Sequence, residues 1–158
     1  AMRIISKQGP LHNPADRDHC LEYMIAVPLI YGALTAEHYE NDIANNPLID
    51  VLRDKMHVVE NEKFSKDYLD PEKRAIGNAI QIFFKNGSKT DCISIDYPMG
   101  HKRRRKDGIP LLIEKFKAAV TEHYSTTQTQ AIITVCMDQK ALMQLPVDQL
   151  IKALGFYT

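Results

Sequence analysis

The sequence predicts an α+β fold, with a small, mostly antiparallel sheet packed by helices and a helical C-terminal segment. Three observations predict it. Asn-Pro pairs, which commonly start helices, occur at two places in the first third of the chain. An Asn-Gly pair lies between two alternating apolar runs and indicates a β-hairpin at about 75–97. Apolar residues at helical spacing then fill the last third, so the helices are separated from the strands along the chain.

The first helix is predicted from the segment 9–31, which is polar at its start and almost wholly apolar at its end. Asn13 is a good N-cap residue, and Pro14 suits the first helical position because its missing amide hydrogen leaves no donor unsatisfied. Asp16 then lies in the first turn, where the helix dipole favours a negative charge. We therefore expect one continuous helix that enters a core with its apolar end.

The candidate catalytic residues are His19 and Tyr23, which lie one turn apart on this helix. At 3.6 residues per turn they share a stripe with Asp16. A histidine can move a proton near neutral pH, and a tyrosine hydroxyl can donate a hydrogen bond to an oxyanion. Packing is the commoner role of such residues on a half-buried helix, so both interpretations stay open.

The middle of the chain carries weaker signals. Thr35 or a neighbour caps a short helix that ends at about Ala44, and Asn46-Pro47 opens the next helix. A weak strand is predicted at 56–60, and a charged loop at 64–74, where an Asp-Pro pair indicates a turn.

The hairpin prediction includes a register. A two-residue turn at Asn86-Gly87 pairs Lys85 with Ser88, which places Ile80 opposite Ile93. The same register places Ile76 opposite Tyr97. The apolar side chains of both strands then lie on one face, which also includes Ile82, Phe84 and Ile95. Three helices are expected after the hairpin, one from Pro110, one over about 127–137, and one from about Pro146 to Gly155.

Candidate substrate-binding residues lie in the basic run after the hairpin, at His101, Lys102, Arg103 and Arg104. The planar guanidinium of arginine grips a carboxylate through two hydrogen bonds, so such a run can attract a polycarboxylate. A solvated basic loop is the ordinary alternative. Arg17 is a further candidate, with a weak local salt bridge as its alternative role.

Composition excludes several functional classes. The formal net charge is zero, which argues against a general nucleic-acid or membrane-surface binder, and no apolar run is long enough to cross a bilayer. Cys20, Cys92 and Cys136 show neither a disulfide framework nor the spacing of a zinc or iron–sulfur site. We expect no metal and a reducing, cytoplasmic location.

Three segments together resemble one family. GPLHNPADRDHCLEYMIAVPLIYG, DYLDPEKRAIGNAIQIFFKNGS and YPMGHKRRRKDGIPLLIEKF are similar, in this order, to the C-terminal portion of MmgE/PrpD family members of the 2-methylcitrate dehydratase type. The resemblance implies an α+β domain over 1–124. It also implies C-terminal helices over 125–158 that pack on a helical domain which precedes the matched region.

The resemblance implies a cofactor-independent lyase that dehydrates 2-methylcitrate to 2-methyl-cis-aconitate in propionate catabolism. Tyr23 and His19 match the Tyr and His of the family's His-x-x-x-Tyr motif, whereas the main acid–base residues belong to the absent part. The expected partners are a tricarboxylate substrate, the missing N-terminal helical domain and, as a possibility, a second copy. The fragment alone is expected to be inactive. The alternatives are a cis-aconitate decarboxylase-like activity and a non-catalytic anion-binding or assembly module.

Overall fold

The computed structural model of the chain describes residues 2–155 and is mostly helical, with one two-stranded antiparallel sheet. The α+β class is thus confirmed. The chain divides into two compact units, one that ends at Lys66 and one that starts at Asp67. The domain boundary expected near residue 124 stays a prediction. No helix in the described part is both long enough and apolar enough to cross a membrane.

The first unit is built from short helices. Their bounds are α1 Met2–Ile5, α2 Pro14–Asp18, α3 Leu21–Tyr31, α4 Asn41–Ala44 and α5 Pro47–Arg53, with a 3₁₀ turn at Ala36–Tyr39. A sixth helix, α6 Glu62–Leu69, crosses from the first unit into the second. Helix α3 packs mainly on α5, and the core between them consists of Cys20, Tyr23, Ala26, Val27 and Ile49.

Both Asn-Pro helix starts are confirmed. The Asn13 side chain accepts a hydrogen bond from the Asp16 amide at 2.9 Å, and the Asn46 side chain accepts one from the Leu48 amide at 3.0 Å. Each proline takes the first helical position. These caps satisfy amide donors that a helix start otherwise leaves without a partner.

The prediction of one continuous opening helix is wrong. His19 ends α2, and Cys20 has an extended backbone that begins α3. The Cys20 amide donates to the Arg17 carbonyl at 3.2 Å, a bond across three residues that closes α2 as a tight turn. The supposed stripe of Asp16, His19 and Tyr23 is therefore not a stripe of one helix.

Two predictions for the middle of the chain are also wrong. The segment 56–60 forms no strand, and no neighbouring strand lies within the described residues to supply the hydrogen bonds that a strand needs. Most of the predicted loop at 64–74 is instead occupied by α6. Asn61 explains that helix, because its side chain accepts hydrogen bonds from the Lys63 and Phe64 amides.

The second unit contains the hairpin and the longest helices. Its elements are β1 Asn78–Ile80, β2 Ile93–Ile95, α7 Arg105–His123, α8 Thr126–Met137, α9 Gln139–Gln144 and α10 Val147–Ala153, with a 3₁₀ turn at Lys102–Arg104. Helix α8 packs on α7, α9 and α10. The expected start of α7 at Pro110 is too late, since Pro110 lies inside the helix.

The hairpin has the predicted register but a different turn. Ile80 pairs with Ile93, as expected. The Phe84 amide donates to the Ser88 carbonyl at 2.8 Å, so the loop has three residues, and Gly87 takes the left-handed conformation at φ +84°. The predicted pairing of Lys85 with Ser88 is therefore wrong.

A bulge in the second strand restores the register beyond this loop. The Thr90 amide donates to the Ile82 carbonyl at 2.9 Å. Between that contact and the pair of Ile80 and Ile93, one residue lies in the first arm of the hairpin. Two residues, Asp91 and Cys92, lie in the second arm. The extra residue compensates for the longer turn. Farther along, the Ile76 amide donates to the Asp96 carbonyl at 3.1 Å, in place of the expected pair with Tyr97.

The hairpin is not covered as expected. All six residues of β1 and β2 are exposed, so in the described part of the chain the helices do not bury the sheet. The apolar face on which the register depends lies open to solvent.

Candidate functional site

Tyr23 is held in the core of the first unit. Its hydroxyl donates a hydrogen bond to the His38 carbonyl at 2.5 Å, and its ring stacks on Tyr39 with the centroids 6.0 Å apart. Burial raises the pKa of Tyr23 above the ordinary value of 10.0, while the nearby charge of Arg17 opposes this shift. The hydroxyl is thus a protonated donor that already has an acceptor. Its predicted role towards a substrate oxyanion stays a prediction.

His19 lies apart from this arrangement. Its ring is exposed at the end of α2, and its Nδ1 atom contacts the carboxylate of Asp18. No hydrogen bond or ring contact joins His19 to Tyr23 within residues 2–155. The helix break at Cys20 separates the two residues that the sequence placed one turn apart on a continuous helix.

Arg17 is buried and ties α2 to the segment that follows α3. Its Nη1 atom donates to the Tyr39 carbonyl at 2.5 Å and its Nη2 atom to Oδ1 of Asn41 at 2.7 Å. Only Nε, which is buried, lacks a partner among the described residues. The guanidinium therefore serves the fold through its terminal nitrogens, and its predicted contact with a substrate carboxylate stays a prediction.

Asp16, on the same helix, is fixed by its neighbours. Lys7 places its amine 3.2 Å from the carboxylate, and the His12 amide donates to it at 3.1 Å. These bonds, with the Lys7 bond the larger effect, lower the pKa of Asp16 below its usual value of 3.8. The carboxylate is thus stabilised in its charged form at the start of α2.

Two buried charged residues of this unit were missed by the sequence reasoning. Arg53 donates to the Lys7 carbonyl at 3.1 Å and the Gly9 carbonyl at 2.9 Å, and it contacts Asp50 at 2.5 Å. Glu22 accepts a hydrogen bond from the Ser6 hydroxyl at 2.5 Å. The distant partners lie up to 46 residues away along the chain, so no local pattern indicates these contacts.

The basic run forms a cap rather than a free loop. The His101 side chain accepts a hydrogen bond from the Arg103 amide at 3.1 Å through Nδ1, and its Nε2 atom lies 3.1 Å from the Arg74 carbonyl. Since a carbonyl only accepts, these contacts assign the hydrogen to Nε2. The ring also lies against Tyr97, at 4.6 Å between centroids.

Two arginines of the run, Arg103 and Arg104, contact the same surroundings. Arg103 donates to the Glu72 carbonyl at 2.9 Å, and its guanidinium lies 5.1 Å from the centre of the Tyr97 ring. Arg104 reaches the Tyr97 carbonyl at 3.4 Å and Asp107 at 3.5 Å. The structure thus brings three of the five predicted substrate-binding residues, His101, Arg103 and Arg104, together around one tyrosine, where they fasten the start of α7 to the chain before it.

Lys102 differs from its neighbours. Its side chain is exposed, and no hydrogen bond or ion pair engages its amine within the described residues. Its charge is therefore accessible to an anion. The electrostatic role predicted for the run stays a prediction.

The open grooves of the second unit lie elsewhere. An apolar groove of about 330 Å³ runs between α7 and α8, lined by Leu112, Ile113, Phe116, Cys136 and Met137. None of the predicted site residues lines it. Within residues 2–155, no group of three or more His, Cys, Asp or Glu side chains is arranged to hold a metal ion.

Comparison with known proteins gives a consistent result. Residues 1–139 match the family model described as the MmgE/PrpD C-terminal domain. The chain is 53% identical over 148 residues to a 2-methylcitrate dehydratase of Salmonella typhimurium and 49% identical to one of Escherichia coli K12. It is 47% identical to a mitochondrial 2-methylcitrate dehydratase of Yarrowia lipolytica. Each match covers 94% of this chain, but the chain spans only 28–31% of the length of these relatives.

Proposed function

Because the chain belongs to the MmgE/PrpD family through its C-terminal domain, we propose that it is the C-terminal portion of a lyase that dehydrates 2-methylcitrate to 2-methyl-cis-aconitate. One observation carries the proposal. About half of the residues are identical, over 94% of the chain, to proteins named 2-methylcitrate dehydratase. The reaction needs no cofactor in this proposal. We further propose that it serves propionate catabolism in the cytoplasm, although the Yarrowia relative is named mitochondrial.

The dehydration needs a base to remove a proton next to a carboxylate, an acid to protonate the departing hydroxyl, and cations to hold the carboxylates. We assign to this chain a supporting share of these tasks. Tyr23 and His19 are its candidate catalytic residues, and Lys102 is an exposed cation of the basic run. Several candidate residues make hydrogen bonds to backbone carbonyls of their own unit, which suits residues that shape the wall of a pocket. They are Tyr23, Arg17, His101, Arg103 and Arg104.

The isolated chain is inactive in this proposal. It corresponds to less than a third of the relatives, and the side chains that it brings together are occupied by its own backbone. The principal acid and base are supplied by the preceding part of the complete protein. The candidate residues therefore bind a substrate only when that part is present.

A chimaera tests the proposed substrate. The part of the Salmonella typhimurium relative that precedes the match is joined to this chain, and the ultraviolet absorbance of the new carbon–carbon double bond is followed with 2-methylcitrate as substrate. The unmodified relative is the positive control. A second assay with cis-aconitate measures the release of carbon dioxide.

Turnover of 2-methylcitrate by the chimaera, within about tenfold of the relative, is the expected result. A folded chimaera that decarboxylates cis-aconitate and leaves 2-methylcitrate unchanged would instead assign the chain to the other activity of the family. A folded chimaera that binds 2-methylcitrate without turning over either compound would favour the anion-binding module.

A further inference from the structure

The hairpin of the second unit presents one apolar face to solvent. Its central pair is Ile80 and Ile93, which lie directly opposite each other across the two strands and are 38% and 62% exposed. Alternation along the strands places further large apolar side chains on the same face, all of them exposed: Ile76, Ile82, Phe84 and Ile95.

The opposite face has a different composition. Ala79 pairs with Ser94 there, and alternation adds Gln81 and Asp96, so this side suits contact with water. Phe83 is its one large apolar side chain in the hairpin arm and is 71% exposed. The contrast between the two faces is the pattern of a sheet that is buried on one side, yet no element of the described chain buries that side. An isolated two-stranded hairpin is marginally stable in water, so this sheet needs a covering element.

The size of the face indicates what covers it. About nine residues in each arm of the hairpin at about 3.3 Å each, and two arms that are each about 4.8 Å wide, give a face of about 300 Å². A stable interface between two separate molecules buries about 800 Å² on each partner. The face is therefore too small to hold a second copy by itself. It is large enough for a segment of the same polypeptide, whose attachment removes most of the entropic cost of association.

The relatives of this chain contain such a polypeptide. The relatives are about three times as long as this chain, and the matched region is a C-terminal domain. We propose that the apolar face of the hairpin packs against the part of the complete protein that precedes this chain. The inference rests on family membership and does not depend on the proposed activity.

Matched substitutions in the chimaera test this packing. Ile80→Lys and Ile93→Lys each place a charge in the centre of the apolar face, whereas Phe83→Lys makes the same kind of change on the opposite face, in the same arm of the hairpin as Ile80. The thermal midpoint of each variant is measured, and hydrogen exchange is followed for the amides of 76–97 in the chimaera and in this chain alone.

The proposal predicts that both isoleucine variants lower the midpoint of the chimaera by several degrees more than Phe83→Lys does. It also predicts that exchange at 76–97 is slower in the chimaera than in the chain alone by at least about tenfold. Equal midpoints for Ile80→Lys and Phe83→Lys, with unchanged exchange, would overturn it. Protection that appears only on dimerisation of the chain, and is lost in Ile93→Lys, would assign the face to a second copy and also overturn it.

These readouts are independent of turnover. A chimaera that protects the hairpin but does not dehydrate 2-methylcitrate would support the packing and contradict the proposed function. A chimaera that is active while its hairpin stays unprotected would do the reverse.

Discussion

Tyr23 joins a possible chemical role to a structural one. Its hydroxyl is the only polar atom of a side chain that is otherwise packed in the core, and it donates to the His38 carbonyl. Arg17 binds the next carbonyl in the chain, that of Tyr39, so two side chains fix the 3₁₀ turn at Ala36–Tyr39. A substitution at Tyr23 will therefore change the fold as well as any reaction, and the two effects must be measured separately.

Tyr23→Phe removes the hydroxyl and leaves the partly buried His38 carbonyl without this donor. We expect the free energy of unfolding to fall by about 1–2 kcal/mol, measured by urea denaturation. Tyr124→Phe is the matched control, since its hydroxyl also donates to a carbonyl, that of Leu154, but at 3.1 Å and in a less buried place. The control is expected to lose less. Unchanged stability in Tyr23→Phe, combined with lost turnover in the chimaera, would place the hydroxyl with the substrate.

Alkaline pH tests the same residue. Burial raises the pKa of Tyr23 and of Tyr39, so the folded state holds these protons more tightly than the unfolded state does. Stability is therefore fully present below about pH 10 and falls as the pH rises through the pKa of the folded state. Tyr23→Phe should make this alkaline loss smaller, as judged from unfolding free energies across the range. An identical loss in the variant would show that Tyr23 does not contribute.

Acid pH tests Asp16. Lys7 lowers the pKa of this carboxylate, so its contribution is present above about pH 3.8 and is lost as the pH falls through the lower pKa of the folded state. Lys7→Met should raise the pKa of Asp16 towards 3.8, observed by nuclear magnetic resonance of the carboxyl carbon. Lys66→Met, which removes the partner of Glu62 in the same unit, should leave that pKa in place. No change in Lys7→Met would contradict the assigned cause.

Among the elements, α7 depends on a close approach at its first turns. A Cβ atom added at Gly108 would lie 2.4 Å from the Met99 carbonyl oxygen, whereas one added at Gly100 meets nothing within 4 Å. Gly108→Ala should lower the free energy of unfolding by about 1–3 kcal/mol because the backbone must move. Gly100→Ala, the matched control, should cost clearly less. Equal effects in urea denaturation would show that the start of α7 is not held against Met99.

The elements also show which features can be read from sequence. Asn13, Asn46 and the alternation around Ile80 and Ile93 are local signals, and each correctly predicted a helix start or a register. The break at Cys20 has no such signal, since no side chain caps α3. The predicted turn was wrong although the predicted register was right. The extra residue of the longer loop is offset by the extra residue of the bulge, so the pairing beyond the bulge is unchanged.

The candidate site was less predictable than the fold. The reason is that some of its charged residues are buried. Charged residues are ordinarily exposed, so a sequence pattern predicts them at the surface. Arg17 donates hydrogen bonds to Tyr39 and Asn41, and Arg53 donates them to Lys7 and Gly9. These partners come together only in the folded chain. The basic run was predicted to attract anions, but three of its side chains, His101, Arg103 and Arg104, bind backbone carbonyls instead.

At the scale of the whole molecule, we propose that this chain is one part of a larger protein. The family match covers most of its length, whereas the chain covers less than a third of its relatives. Its hairpin has an exposed apolar face, and several of its charged side chains are hydrogen-bonded within their own units. Both features suit a domain that packs against the preceding part of the protein. We therefore expect the dehydration of 2-methylcitrate to occur only when the preceding part of the protein is supplied.

Reconstitution tests this claim most directly. The chain, the N-terminal part of the Salmonella typhimurium relative, and an equimolar mixture of the two are each assayed with 2-methylcitrate by the ultraviolet absorbance of the unsaturated product, beside the covalent chimaera. We expect no turnover by either part alone and turnover by the chimaera, with the mixture active in proportion to the complex that forms. Turnover by the isolated chain at a rate comparable to the chimaera would contradict it.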